Sequence, residues 1–111
     1  MLTYGRACTT GDASEFLDSS VHTRDAEQGL GIENYSGTSD PETDALLEAA
    51  DREFDPGRRL VLLQQAQRRV LDALAILPLT VRSEFVGVSA RVDVPVRYDG
   101  WLWVAGFRWR R

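Results

Sequence analysis

Two side chains in the N-terminal part of the chain could act as a nucleophile and its base. Cys8 and His22 are the one cysteine and the one histidine among the 111 residues. A thiol is activated when a nearby imidazole takes its proton, and a third side chain usually orients that base. Neither an orienting residue nor an oxyanion motif is recognisable here. We therefore expect Cys8 to be a buried or incidental thiol, His22 to be an exposed loop residue, and the chain not to be an enzyme.

Motifs for metals, phosphates and cofactors are weaker still. Gly29, Gly31 and Gly37 lack the GxGxxG spacing of a phosphate loop. The acidic residues between Asp40 and Asp55 lack the alternating ligands and turn glycine of a calcium loop, and we interpret them as a solvated helix face. One cysteine allows neither an intrachain disulfide nor a zinc site. The sequence therefore predicts no metal and no cofactor.

Charge is divided unevenly along the chain. Residues 1–57 hold thirteen acidic residues and three arginines, a net −10, whereas residues 58–111 hold four acidic residues and ten arginines, a net +6. The two halves could face each other, or each could face a different partner. The FRWRR tail resembles single-strand nucleic-acid binders in mixing aromatic and basic residues. The acidic chain, with a pI near 4.9, argues against a nucleic-acid partner.

Three helices are predicted in the first two thirds of the chain. Asp12 can cap a helix over residues 13–20, and after a loop over residues 22–40 the pairs Asp40-Pro41 and Asp55-Pro56 each combine a cap with a proline that fits the first helical turn. The third helix is predicted over residues 57–74. The expected buried residues are Phe16, Leu17 and Val21 on the first helix, Leu46, Leu47, Ala50 and Phe54 on the second, and Leu60, Leu63, Gln67, Val70, Leu71 and Leu74 on the third.

Short strands are predicted at both ends. Residues 1–9 have the composition of a strand end, and ILPLTVR, EFVGVS and VDVPVR are β-branched stretches separated by turn residues. WLWVAGFRWRR alternates strictly and predicts one strand with a buried aromatic face. The order of elements predicts a single domain over residues 1–111, of the α/β or the α+β class. No membrane span is expected, and the first sixteen residues lack the pattern of a secretion signal.

Three stretches together resemble a known family. YGRACTTGDASEFLDSSVHT, GIENYSGTSDPETDALLEAA and DPGRRLVLLQQAQRRVLDALAILPLTV are similar to the C-terminal part of the family 5 extracellular solute-binding proteins, the oligopeptide, dipeptide and nickel-type receptors of ABC transporters. The resemblance implies a C-terminal fragment of a two-lobed, periplasmic-binding-protein-like fold, with helices followed by short strands. It also implies a periplasmic or cell-envelope location, a small peptide-like or other solute, an ABC permease as partner, and a further N-terminal lobe of the same receptor.

The resemblance also implies where a solute would be contacted. Thr9 and Thr10 stand where peptide-binding members have an aspartate that pairs with the ligand's amino terminus, and Arg6 stands where many members have tryptophan. These replacements favour an anionic or polyhydroxylated solute. In the loop before Pro41, Asn34 and Tyr35 are the further candidate ligand contacts.

Two functions follow as hypotheses. The first is the solute-binding component of an ABC importer, of which this chain alone would bind solute weakly or not at all, because clamping a ligand needs both walls of the cleft. The alternative is a free-standing interaction module, or a self-associating truncated paralogue without transport activity, in which exposed apolar surface serves a partner.

Overall fold

The protein is a small chain of mixed helices and short strands. The structure is a computed structural model and describes residues 5, 8–81, 83, 85–97 and 99–110. Its elements are α1 (Ala13–Ser20), α2 (Pro41–Arg52), α3 (Pro56–Asp72), β1 (Val92–Asp93), a 3-10 turn (Val104–Gly106) and β2 (Arg108–Trp109). None of the helices in this described part is long and apolar enough to span a membrane.

All three helices are capped by the aspartates that the sequence predicts. Asp12 accepts a hydrogen bond from the backbone N–H of Ser14 at 2.9 Å, and Asp55 accepts one from that of Arg58 at 2.8 Å. Asp40 caps α2 by accepting from the backbone N–H of Glu42. These oxygens satisfy backbone donors that have no partner inside the first helical turn. The predicted helix over residues 13–20 is confirmed, and α3 begins one residue earlier and ends two residues earlier than predicted.

The core lies where the three helices meet. Its buried apolar residues are Leu17, Val21, Leu47, Ala50, Leu63, Ala66 and Val70. Phe16 and Leu46 are partly buried against them, as expected. Ala66 and Ala50 are completely buried, and such small side chains permit close approach of α2 and α3. The buried stripe of α3 therefore runs through residues 63, 66 and 70.

Several predicted core residues are in fact exposed. Phe54 is 97% exposed, because α2 ends at Arg52 and the chain continues in extended form through Glu53. Leu60 and Leu74 are 54% and 74% exposed, which places them outside the buried stripe of α3. Gln67 and Leu71 are also exposed. The prediction for α3 was wrong because its apolar residues fit two neighbouring stripes, one that includes Leu60 and one that includes Ala66. The close packing of α3 against α2 at Ala66 buries the second stripe.

Arginines of α3 pair with carboxylates of the acidic N-terminal half. Arg59 lies 3.2 Å from Asp12 and 3.5 Å from Asp51. Arg69 donates to Asp40 from Nε at 3.1 Å and from one terminal nitrogen to both carboxylate oxygens, at 3.0 and 3.2 Å. The charge division seen in the sequence therefore corresponds, in part, to ion pairs between α3 and the elements that precede it.

The predicted C-terminal strands are much reduced. Within the described part of the chain, only β1 and β2 form a ladder, an antiparallel pair with Val92 opposite Trp109 and Asp93 opposite Arg108. The described residues of ILPLTVR and EFVGVS form no strand. Pro95 follows β1 closely, and a proline has no N–H to donate to a ladder. The predicted strand over residues 1–9 lies mostly outside the described residues.

The alternating tail is not one strand, which corrects the prediction. The 3-10 turn at Val104–Gly106 interrupts it, leaving Arg108–Trp109 as the only strand within residues 101–110. The predicted aromatic face is not buried: Trp101 and Trp103 are 69% and 60% exposed. Alternation produces a buried face only when a second layer covers it, and among the described elements the strands contact each other but no helix.

Candidate functional site

The predicted ligand residues Thr9 and Thr10 surround a carboxylate of their own chain. Glu15 accepts the backbone N–H groups of Thr9 and Thr10 at 3.0 and 2.9 Å, and also both hydroxyl groups, the shorter of these bonds being 2.8 Å from Thr10. The hydrogen bonds from Thr10, backbone first and then side chain, lower the pKa of Glu15 to about 2. Glu15 thus fixes the turn before α1, and the sequence analysis did not single it out.

Asn34 holds the loop over residues 22–40 in place. Its side-chain nitrogen donates to the carbonyl oxygens of His22 at 3.0 Å and Thr38 at 2.7 Å. Its side-chain oxygen accepts from the hydroxyl of Ser36 at 2.8 Å. The neighbouring Tyr35 is 64% exposed. A solute contact at this loop would therefore fall to Tyr35, with Asn34 as the residue that positions it.

The structure does not bring the two groups of predicted ligand residues together. Thr9 and Thr10 lie before the N-terminus of α1, whereas Asn34 bonds to the segment just after its C-terminus. Eight helical residues separate these points, a length of about 12 Å. Arg6 lies outside the described residues. The ligand assignment of these residues stays a prediction.

Cys8 and His22 are likewise separated by α1. The Cys8 thiol donates to the carbonyl oxygen of Asp12 at 3.0 Å and lies 3.5 Å from Glu15. His22 is 6% exposed, so the expectation of an exposed loop histidine is wrong. The helix places the thiol and the imidazole at its opposite ends, and this arrangement offers no thiol–imidazole pair. In the described part of the chain, no group of three or more His, Cys, Asp or Glu residues is arranged to hold a metal ion.

His22 is buried because the loop folds back over it. Gly31 is buried at φ +59°, and a Cβ atom there would lie 2.3 Å from the His22 carbonyl oxygen. The ring Nδ1 lies 2.7 Å from the Thr23 carbonyl oxygen, while Nε2 lies 3.8 Å from Glu48. A single histidine within a polar stretch of sequence is normally predicted to be exposed. The signal that could have revealed its burial is Gly31, whose left-handed conformation admits a close backbone approach.

Besides Glu15, Asp18 has a strongly shifted pKa. Asp18 lies on α1 one helical turn before His22, and its Oδ1 atom is buried without a hydrogen-bond partner among the described residues. Burial, and then the like charge of Asp51, raise the pKa of Asp18 to about 6. Buried carboxylates of this kind often mark functional positions, although structural sites also contain them.

The C-terminal segment, defined as the described residues of 77–110, exposes most of its large apolar side chains. Twelve of the nineteen exposed large hydrophobic residues of the described chain lie here: Leu77, Leu79, Val81, Phe85, Val86, Val88, Val96, Trp101, Leu102, Trp103, Val104 and Trp109. Correspondingly, the radius of gyration is 17.7 Å, against about 13 Å for a compact chain of this length. Large exposed apolar side chains in this number are more than the scattered few that a soluble surface usually carries, and clustered they are typical of interaction sites.

An open cleft of about 550 Å³ lies within the C-terminal segment. Asp93, Pro95, Trp103 and Arg108 are among its lining residues. Gly106 also lines it, and a Cβ atom there would lie 2.8 Å from the Pro95 ring. Among the described elements, β1 and β2 contact each other and no helix, so the cleft lies outside the helical core.

Comparisons with protein-family models, with curated proteins and with solved structures found no significant match for this chain. The resemblance to the solute-binding family therefore rests on its sequence motifs alone.

Proposed function

We propose that this chain contributes to the solute-binding component of an ABC importer, as the C-terminal portion of a larger two-lobed receptor. The observation that carries the proposal is the exposure of the C-terminal segment. Its valines, leucines and tryptophans have the composition of a domain interior, yet they are covered by neither the helices nor the short β1–β2 pair. A surface of this kind is stable in water when other structure covers it. The remainder of the receptor is the proposed cover.

The helical unit supports this assignment in a second way. Residues 8–76 have their own core, and Tyr35 is presented to solvent by a loop anchored through Asn34. In the proposed receptor, this exposed aromatic ring would form part of one wall of the cleft, and the other lobe would supply the opposite wall. The solute is a small peptide-like, anionic or polyhydroxylated molecule.

The direct test begins with the genomic neighbourhood of the coding sequence. We expect an adjacent reading frame for the remaining lobes, beside permease genes. Co-expression of that lobe with this chain should give a co-purifying complex in which tryptophan emission shifts to the blue, because Trp101, Trp103 and Trp109 become covered. A neighbourhood without permease or receptor genes, together with calorimetry showing micromolar binding of a tripeptide by this chain alone, would refute the proposal.

Self-association is the second candidate, favoured by the same exposed surface. In that case a second copy of the chain would cover the C-terminal segment, and no transport activity would be involved. Size-exclusion chromatography with light scattering distinguishes the two candidates. A stable dimer whose tryptophan emission is already blue-shifted supports self-association, whereas a monomer that binds the co-expressed lobe supports the receptor.

A further inference from the structure

The β1–β2 pair has one cationic face. Its register places Asp93 opposite Arg108, and the pairing continues to Arg91 and Arg110, because the Arg110 backbone N–H donates to the Arg91 carbonyl oxygen at 2.8 Å. Side chains two residues apart along a strand lie on the same side. One face of the pair, here called the cationic face, therefore carries four exposed charged residues with a net charge of +2: Arg91, Asp93, Arg108 and Arg110.

The opposite face of the pair is apolar. It carries Val92, Val94, Phe107 and Trp109, of which the first three are half-buried. Structure that covered this apolar face would leave the cationic face open to solvent. The role of the cationic face is therefore independent of the proposed transport function.

The one carboxylate of the cationic face is already paired. Asp93 forms an ion pair with Arg110. Within the part of the chain that the structure describes, the guanidinium groups of Arg91 and Arg108 have no carboxylate partner. Like charges directly opposite each other destabilise a strand pair, as Arg91 and Arg110 do here. Two guanidinium groups are therefore in excess on this face, and an anion bound there would offset their charge.

The cationic face borders the open cleft of about 550 Å³ in the C-terminal segment. Arg108 belongs to both, and Trp103 and Pro95 contribute their rings to the lining of the cleft. Arg97 also lines the cleft, but its charge is compensated by an ion pair with Asp99. The volume lies within the range of about 300–1,000 Å³ that is usual for small-molecule sites. An exposed indole ring and an uncompensated guanidinium are thus presented to the same space.

These features specify the chemistry of a ligand. Arginine binds phosphate oxygens through paired, charge-assisted hydrogen bonds. A phosphate monoester carries a charge of about −1.5 to −2 at neutral pH, which matches two excess guanidinium groups, whereas one carboxylate supplies half of that charge. Arg91 and Arg108 are diagonal neighbours on the ladder, about 7–8 Å apart at the backbone, a separation that long side chains can span. The indole of Trp103 offers a stacking surface for a flat ring.

We propose that the cationic face and the adjoining cleft bind a small aromatic phosphate monoester. Arg91 and Arg108 hold the phosphate, and Trp103 stacks on the aromatic ring. Asp93 does not repel the ligand strongly, because Arg110 neutralises its charge. The site lies outside the helical core and is separate from the loop that carries Tyr35.

Titration of the full chain with phenyl phosphate at neutral pH tests the proposal. Proton–nitrogen correlation NMR resolves the indole N–H of each tryptophan and the Nε–H groups of the arginines. We expect saturable shifts at Trp103 and Arg108, and an affinity that falls as salt is added. Phenol and inorganic phosphate should each bind at least about tenfold more weakly, because each lacks one half of the ligand. The absence of a saturable shift, or equal affinity for either of these two compounds, overturns the proposal.

Variants with a matched control locate the site. Arg108→Gln should weaken binding of phenyl phosphate about tenfold, whereas Arg68→Gln, the same charge change at an exposed position of α3, should keep the wild-type affinity. Trp103→Leu should weaken binding of phenyl phosphate about tenfold, as followed at Arg108, and leave that of inorganic phosphate unchanged. Arg91→Gln lies outside both strands, and it should weaken phosphate binding even if Arg108→Gln disrupts the strand pair. Equal losses in Arg68→Gln and in the Arg91 and Arg108 variants would indicate non-specific charge attraction and overturn the proposal.

Discussion

The most demanding prediction concerns Arg59, the residue of α3 that contacts both other helices. Its guanidinium donates to Ser14 at 2.9 Å, to the Ala50 carbonyl oxygen, and to Asp12 at 3.2 to 3.3 Å, and its side chain is 23% exposed. A hydrogen bond of this kind contributes about 1 kcal/mol net. We therefore expect Arg59→Met to lower the free energy of unfolding by about 2–3 kcal/mol. Methionine keeps an apolar stem and a similar helix propensity.

Arg58→Met is the matched control. Arg58 is the neighbouring residue on α3, but its side chain is 74% exposed and pairs with Glu53 at 3.2 Å on the surface. Such pairs contribute about 0–1 kcal/mol. Urea unfolding followed by far-ultraviolet circular dichroism measures both variants, with an unchanged denaturant slope required for the comparison. If Arg59→Met destabilises the chain no more than Arg58→Met does, the reasoning that assigns Arg59 a linking role is refuted.

Three further predictions test the loop, the core and the turn before α1. Gly31→Ala should cost roughly 2–4 kcal/mol, because it adds a close backbone clash to left-handed strain, whereas Gly29→Ala, with open space at a similar φ, should cost only about 1 kcal/mol by urea unfolding. Leu47→Ala should cost about 2–5 kcal/mol, and Leu60→Ala, at a half-exposed position, less than about 1 kcal/mol; equal losses would refute the observed core. Glu15 should titrate near pH 2 by carboxyl carbon NMR, and its stabilising contribution should disappear as pH falls from about 4.5 towards 2; a midpoint at 4.5 contradicts the hydrogen-bonded turn.

The helix starts were predictable because they depend on local chemistry. Each of the three begins at an aspartate whose oxygen meets a nearby backbone N–H, and two have proline in the first turn. This information is contained in adjacent residues. Adjacent residues do not determine which stripe of α3 is buried. Leu60 and Ala66 both belong to apolar patterns, and only the position of α2 decides which of them lies in the core.

The candidate site was less predictable because its contacts join residues that are distant in sequence. Thr9 and Thr10 were singled out, but the residue that binds them, Glu15, appeared only in the structure. His22 becomes buried through Gly31, nine residues later in the chain. Of the strands predicted in the C-terminal segment, only the short pieces Val92–Asp93 and Arg108–Trp109 form within the described residues. Alternation specifies which residues share a face, whereas formation of a longer strand also requires a partner edge and a covering layer.

The start of α2 at Asp40-Pro41 has a purely structural role, which indicates where a functional site should be sought. Asp40 accepts hydrogen bonds from the Glu42 backbone and the Thr43 hydroxyl, and it pairs with Arg69 of α3. The hydrogen bond from Thr43, followed by the contribution of Arg69, lowers the pKa of Asp40. Both carboxylate oxygens are therefore engaged in starting α2 and in holding it to α3. A residue engaged in this way has little capacity to bind a solute, so the proposed solute recognition is best tested at Tyr35 and at the exposed C-terminal segment.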